Sequence, residues 1–443
     1  MRQFHPRFAP AADQYHNFVI SLPQSIRYNP RIMDMLRTKA TETSVPRSPA
    51  PRSAAQRCRD IKALIAMVGR KSWSARISAL RANVAATARY GKLVAIKHAA
   101  EFAAEKCRTG AELTPTEAIL ADRVAGLVAL DARLSDAGKT RLRERLAECL
   151  TGENTLVPLL HIHRTGCLHE NLGFIVDYTG FDLGTPYDLL IARDGEFAEI
   201  ACDTLSAEEG RLVHRAAWMR LVDRIDPDLQ TWLSAHPGRY LLKMTLPQGL
   251  RDAKDGTATL AALHERINTM LAGAKRSDHD EAAVLRLDPL LLAAAQANEN
   301  GLMTKLRHEF GPEANLAVTG SGKGVLVLAA RAGSENEVAV AMRKRLSALA
   351  PTRLTGTKPG ILAMFIEDTD RLEWGLLRDQ LTLEGEARQF LTFPEARVVV
   401  AVTCASRLEL YGALGPESAM RFRNPSHPAA KTVALAPAIL STS

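Results

Sequence analysis

The chain has 443 residues, 46% of them hydrophobic and 24% charged, with a formal net charge of +8 and six cysteines. That length predicts two or three domains, and the composition is that of a globular protein rather than a fibrous or disordered one. No apolar run approaches the ~18 residues of a membrane helix, and the run Phe18–Leu22 is too short for a secretory h-region. The cysteines form no Cys-x-x-Cys pair, which argues against a zinc ribbon or a disulfide framework and for a reducing, cytosolic setting.

Charge is unevenly placed. Residues 1–110 carry 20 Lys and Arg against 6 Asp and Glu, leaving 37 against 43 in the remainder. A basic front on a mildly acidic body predicts a polyanionic partner, nucleic acid first, with DNA ahead of RNA. The same balance is also met by charges that only solvate helix faces.

Residues 1–57 predict a disordered basic tail, because Thr41–Arg57 combines Pro, Ser and Arg with almost nothing to bury. An acid-poor, Arg-rich transit peptide is the alternative. Residues 58–150 predict a helical region: Ile61, Leu64, Ile65 and Val68 form one apolar stripe, and Ile77, Leu80, Val84 and Ala88 a second. Its basic residues Arg70, Lys71, Arg76, Arg81, Arg89, Lys92 and Lys97 are candidates for a phosphate-binding surface.

From 151 to 250 the pattern becomes mixed. It predicts a helix over Thr155–Asn171, strands over Phe174–Tyr178, Tyr187–Ala192 and Phe197–Thr204, and a turn at Arg193-Asp-Gly195. The capping box Ser206-Ala-Glu-Glu209 predicts a helix from there to about Ile225, followed by a strand at Tyr240–Leu246. Residues 251–443 predict an α/β extension, with helices near 256–274, 289–309, 335–349 and 370–391. Strands fall near 283–287, 315–319, 324–330, 360–367 and 397–403, and the tail after Pro425 reads as loose.

The hairpin at 186–204 carries the chemistry. A strand alternates faces, so Glu199, Ala201 and Asp203 share one face, and Asp188 on the preceding strand can stand beside Glu199. Carboxylates gathered on neighbouring strands repel unless a cation neutralises them, and Asp188 with Glu199 supplies part of an oxygen shell for Mg²⁺. Arg211, His214 and Arg215 follow at helical spacing beside this strand, placed to hold a phosphate or to pair with Glu208 and nearby acids.

The order α-β-β-β-α-β over about 155–246, with Pro186-Tyr-Asp188 opening the second strand, resembles the PD-(D/E)xK nuclease superfamily, the restriction-endonuclease-like fold. The run Cys202-Asp-Thr-Leu-Ser-Ala-Glu-Glu-Gly-Arg-Leu-Val-His-Arg215 is similar to a branch whose catalytic strand flows into a Ser-capped helix. The resemblance implies catalytic Asp188, Glu199 and Asp203, with Mg²⁺ on Asp188 and Glu199. The family's acid-x-Lys is broken: with Glu199 as the acid, the Lys position is Ala201. With the register moved on, the acid position is Ala201 and the Lys position Asp203. That lysine helps orient water and stabilise developing charge, worth about 10²–10⁴ in rate. The resemblance therefore implies a nucleic-acid-binding protein with a degenerate nuclease core. The alternatives are an active Mg²⁺-dependent nuclease, with a cation recruited from Arg211 or Arg215, and a structural or partner-binding protein.

Other signals carry less. Thr319-Gly-Ser-Gly-Lys-Gly324 has Ala at 317 and Gly at 324 where a phosphate loop needs Gly and Ser/Thr, so it reads as a hairpin turn. His161, His163 and His169 read as packing or surface histidines, Glu170 as an acid that could reach the hairpin, and Trp218 as packing against the sheet.

Overall fold

A computed structural model describes residues 52–251, 256–290, 306–307, 310, 314–322, 324–412 and 418–442. The predicted tail lies outside the described residues as far as Pro51, and helix α1 (Ala54–Val68) begins inside its last stretch. Ser53 starts that helix by accepting the Gln56 N–H.

The predicted helical region follows as α2 (Arg70–Ala86), α3 (Arg89–Lys97), α4 (Ala99–Thr109), α5 (Pro115–Arg133) and α6 (Asp136–Cys149). Thr114 and Glu117 close a reciprocal capping box at α5, with Pro115 in the first turn, where its missing N–H costs nothing. Both predicted stripes turn inward through Ile61, Leu64, Ile65, Ile77 and Leu80, while Ala88 lies beyond α2 and is exposed.

Helix α7 (Val157–Asn171) leads into β1 (Ile175–Asp177), the short α8 (Thr179–Asp182), β2 (Leu189–Arg193) and β3 (Glu196–Ser206). Asp194 and Gly195 close the β2–β3 hairpin, both with positive φ (49° and 82°). That twist matches the strands, and Asp-Gly is the pair that adopts it most readily.

The helix predicted from Ser206 does not start there. Ser206 caps a single 3₁₀ turn (Ala207–Gly210), and the chain runs extended until α9 (Arg215–Ala235). Tertiary bonds outweigh the capping signal: Gly210 O accepts the Glu337 N–H at 2.6 Å, and Val213 bridges to Leu250.

Strand β4 (Arg239–Leu246), α10 (Gly256–Ala272), β5 (Ser277–His279), β6 (Val284–Pro289), β7 (Asn315–Ser321) and β8 (Gly324–Ala332) come next. These strands form a five-stranded sheet in the order β5-β6-β4-β8-β7. Leu242, Met244, Leu326 and Leu328 pack there against Trp218, Leu221 and Ile225 of α9 and Ile267 of α10. Trp218 is thus a core residue, as its apolar neighbours predict. The glycine-rich run closes the β7–β8 hairpin through Ser321 and Gly324. The helix predicted near 289–309 falls almost wholly outside the described residues.

The chain then returns through α11 (Val338–Arg353) and β9 (Gly360–Glu367), followed by α12 (Arg371–Asp379) and α13 (Thr382–Phe390). It ends with β10 (Val399–Ser406), α14 (Arg407–Leu410), β11 (Ala419–Arg423) and α15 (Ala436–Ile439). The tail is docked rather than loose: Leu435, Ala438 and Ile439 are fully buried, and Thr442 Oγ1 accepts the Arg421 N–H.

The first three strands belong to a six-stranded sheet in the order β1-β2-β3-β9-β10-β11. β2 runs antiparallel to its neighbours β1 and β3, β3, β9 and β10 run parallel, and β11 is antiparallel to β10. The expected α-β-β-β-α-β order is present along the chain, but β4 joins the other sheet. The strand beside β3 is β9, so α9 through β8 stand as an insertion between them. Helix α7 covers one sheet face, with His161 bonded to Ala363 O. Helix α11 covers the other, with Met342 against Cys404. Among the described residues no helix is long and apolar enough to cross a membrane.

Candidate functional site

Strands β2 and β3 part company where the site begins. Leu189 pairs with Ile200, and β3 then continues to Ser206 beside β9, leaving its β2-side edge open from Ala201 onward. Asp188 stands in this fork. Its N–H donates to Ile200 O, and its Oδ2 accepts the Cys202 N–H at 2.8 Å, covering the first exposed donor of the edge. Beyond it opens a cleft of about 480 Å³, bounded by the ends of β3 and β9, the start of α7 and the end of α6. The carboxyl ends of parallel strands are where open α/β sheets place ligands.

Two arginines hold the Asp188 carboxylate, which is only 2% exposed. Arg353 Nη2, from the end of α11, lies 2.7 Å from Oδ2, and Arg145 Nη1, from α6, lies 3.2 Å from Oδ1. Both line the cleft, as does Lys97. Glu367, at the end of β9, also lines it, and burial pushes its carboxyl up to about 7. His161 forms part of the same wall. Burial holds its pKa below the usual imidazole range, Nε2 bonds to Ala363 O at 2.9 Å, and Nδ1 has no hydrogen-bond partner among the described residues.

The acids expected to hold Mg²⁺ have other partners. Glu199 is opposite Leu190 rather than Asp188. Its buried carboxylate accepts the Thr355 N–H at 2.9 Å and the Thr355 hydroxyl, tying down the loop that leads into β9. Asp203 pairs with Arg345 of α11. Among the described residues, no three His, Cys, Asp or Glu side chains are grouped so as to hold a metal. A Mg²⁺ shell needs free carboxylate oxygens, and those of Asp188 and Glu199 are taken by Arg and Thr donors, so these residues do not fit that ion. Glu170 pairs with Arg133 at 2.6 Å.

Most of the expected phosphate ligands are held inside the fold. Arg211, 3% exposed, donates to Glu373 and Glu208 and to Asp368 O, and Arg215 to Glu373, Asp370 and Asp368 O. This knot joins the start of α9 to the first turn of α12, where carboxylates also favour the helix dipole. The pairing alternative weighed from the sequence is thus present. His214 precedes α9 and donates its N–H to Leu250 O.

Arg76 is buried, bonded to Gly152 O and Asn154 O, and Arg89 ties Asp226 to Val318 O. Arg81 is different: its side chain is 62% exposed, 3.6 Å from Glu105. His161 and His169 are buried packing histidines, as expected, with His169 Nδ1 bonded to Thr165 O.

Sequence reasoning missed Arg145, Arg353 and Glu367, whereas Lys97 was among the basic residues expected to line a phosphate-binding surface. Arg145 sits in a helix that read only as part of a bundle, and Arg353 and Glu367 lie over 140 residues past the hairpin, in the part read only by class. Glu367 at the end of a predicted strand was the one available signal. No protein-family profile matches the chain, and no curated protein or solved structure is significantly similar to it.

Proposed function

We propose that this chain is a nucleic-acid-associated protein whose nuclease-like core grips a phosphodiester in the fork cleft without efficient cleavage. The observation that carries this reading is Asp188 at the fork of β2 and β3, clamped by Arg145 and Arg353 instead of left open to a metal. The sheet order supports the core: three antiparallel strands are followed by a parallel strand delivered by α11, as a restriction-endonuclease-like arrangement requires once the inserted sheet is set aside. Asp188 meets the backbone at Cys202, which favours the register with Ala201 at the acid position and Asp203 at the lysine position. Neither residue supplies the missing chemistry.

The cations at this site come from α6 and α11 rather than from Arg211 and Arg215. Guanidinium pairs bind phosphate in the same bidentate fashion as carboxylate, so a phosphodiester competes with Asp188 for Arg145 and Arg353, with Lys97 at the rim. The net positive charge of the chain supports the approach of a polyanion.

The test is anisotropy of labelled DNA and RNA at two salt concentrations, with and without Mg²⁺ or Mn²⁺. Binding should weaken with salt, and the double variant Arg145→Ala/Arg353→Ala should lower the salt slope by about two, one per lost phosphate contact. No binding to either polymer, or an unchanged slope in the variant, overturns the reading. Metal-dependent cleavage abolished by Asp188→Asn would establish a nuclease instead.

A further inference from the structure

Cys58 on α1 and Cys107 on α4 lie away from the cleft and take no part in the proposed function. Their sulfurs are 2.8 Å apart, and Cys58 Sγ also lies 3.1 Å from Cys107 O. That separation is closer than two unbonded sulfurs ordinarily rest, and less than an ångström from the ~2.05 Å of a disulfide. The other four cysteines are also free, and Cys404 Sγ lies 3.3 Å from the thioether of Met342 rather than beside a second thiol.

The two thiols are also unequal. Cys58 is partly open to solvent, whereas Cys107 is 3% exposed and burial pushes its thiol up to about 12. Arg57, bonded to Asp122, is close enough to interact with charge on either sulfur.

We propose that Cys58 and Cys107 are a modification site, forming a reversible disulfide that staples α1 to α4 when a hydroperoxide is the oxidant. The Cys58 thiolate attacks a peroxide oxygen; the S–O bond forms, the O–O bond breaks, and the leaving oxygen departs as water or alcohol. Cys107 sulfur then attacks the Cys58 sulfenic acid. The S–S bond forms, the S–O bond breaks, and the hydroxyl leaves as water with the Cys107 proton. Two thiols lose two electrons in total and the peroxide gains them. A dithiol reverses the exchange. The pair is set up for this sequence because the accessible thiol meets the oxidant and the buried one is already in van der Waals reach to resolve it. Closing it fixes the first described helix, α1, to the rest of the bundle.

Full-length protein is titrated with hydrogen peroxide, denatured in N-ethylmaleimide and mapped by mass spectrometry. The expected product joins the Cys58 and Cys107 peptides within one chain, lighter by the two hydrogens lost and separated again by dithiothreitol. A parallel sample oxidised in urea should give mixed pairings, which ties the selectivity to the fold without any variant. Cys107→Ser should leave a sulfenic acid on Cys58 that dimedone traps. The proposal is overturned if both thiols remain fully alkylated at a dose that oxidises another cysteine, or if Cys58 pairs with another cysteine or only between chains.

Discussion

Replacing Asp188 by Asn separates the proposed function from its rivals, because it changes one buried charge behind the two arginines that line the cleft. The carboxylate is 2% exposed and accepts from the Cys202 N–H, Arg353 and Arg145. Asn keeps one oxygen for the Cys202 N–H but loses both charge-assisted bonds. A bond to a charged group is worth about 1.5–3 kcal/mol, and an exposed ion pair about 0.2–1 kcal/mol. Arg353 belongs near the first range, at 24% side-chain exposure, and Arg145 nearer the second, at 44%. The variant should therefore lose about 2–4 kcal/mol of stability, read as a fall in the urea midpoint.

Its affinity for nucleic acid should move the other way. Two guanidiniums no longer have their carboxylate, and one negative charge is removed within several ångströms of where the proposed phosphate would sit. At the effective dielectric of a protein surface that is worth on the order of 1 kcal/mol, or about three- to tenfold tighter binding. Anisotropy with a labelled oligonucleotide, at a temperature where the variant is folded by circular dichroism, measures it. Unchanged or weaker binding by the folded variant would refute the clamp. Tight binding with loss of a wild-type, Mg²⁺-dependent cleavage would make Asp188 a metal ligand after all.

Other outcomes follow from the same geometry. Glu373→Gln removes the buried carboxylate shared by Arg211 and Arg215, which keep Glu208 and Asp370, and should cost about 1.5–3 kcal/mol in thermal or urea unfolding, the worth of a bond to a charged group. Gly210→Ala should destabilise by about 1–3 kcal/mol or more, since its Cβ would sit 2.4 Å from the Val338 backbone, which cannot swing away. Glu367, with a folded pKa of about 7, holds a proton that the unfolded chain releases from about 4.5 upward, so it makes stability fall as pH rises across that window. His169, held at about 4, has the opposite sign: the unfolded chain takes up its proton first, and stability falls as pH drops from about 6.5 toward 4. Glu367→Gln should therefore steepen the acid-side loss of stability, seen as urea midpoints measured between pH 4.5 and 7; an unchanged slope would refute the assignment.

Local structure was legible wherever periodicity and turn chemistry agreed with packing. Gly360–Glu367 has the bounds read from its apolar run, and Asp194-Gly195 makes the hairpin its residue types demand. Ser206 shows the limit. Its capping signature is genuine, but Gly210 and Val213 find stronger bonds to Glu337 and Leu250, contacts that no local window contains. The 370–391 helix likewise divides at Leu381, held at φ 57°. At the site, the sequence singled out Asp188 but paired it with Glu199, because alternation gives the face and not the register or the partners. Arg145 and Arg353 reach Asp188 from elements far along the chain, and only tertiary structure brings them there.

The insertion between β3 and β9 sets an order of assembly. Ile200 must wait for Ile361 before the six-stranded sheet can close, whereas the five-stranded sheet draws on one continuous stretch of chain. Pairing across so long a loop is entropically slow, and a chain emerging from the ribosome offers the inserted sheet its full set of partners first. Until β9 arrives, the hairpin of β2 and β3 has one unsatisfied edge, and the cleft has neither its Glu367 wall nor Arg353. The proposed nucleic-acid binding should therefore appear late in refolding, after the inserted sheet has formed, which would make ligand capture a report on completion of the whole fold.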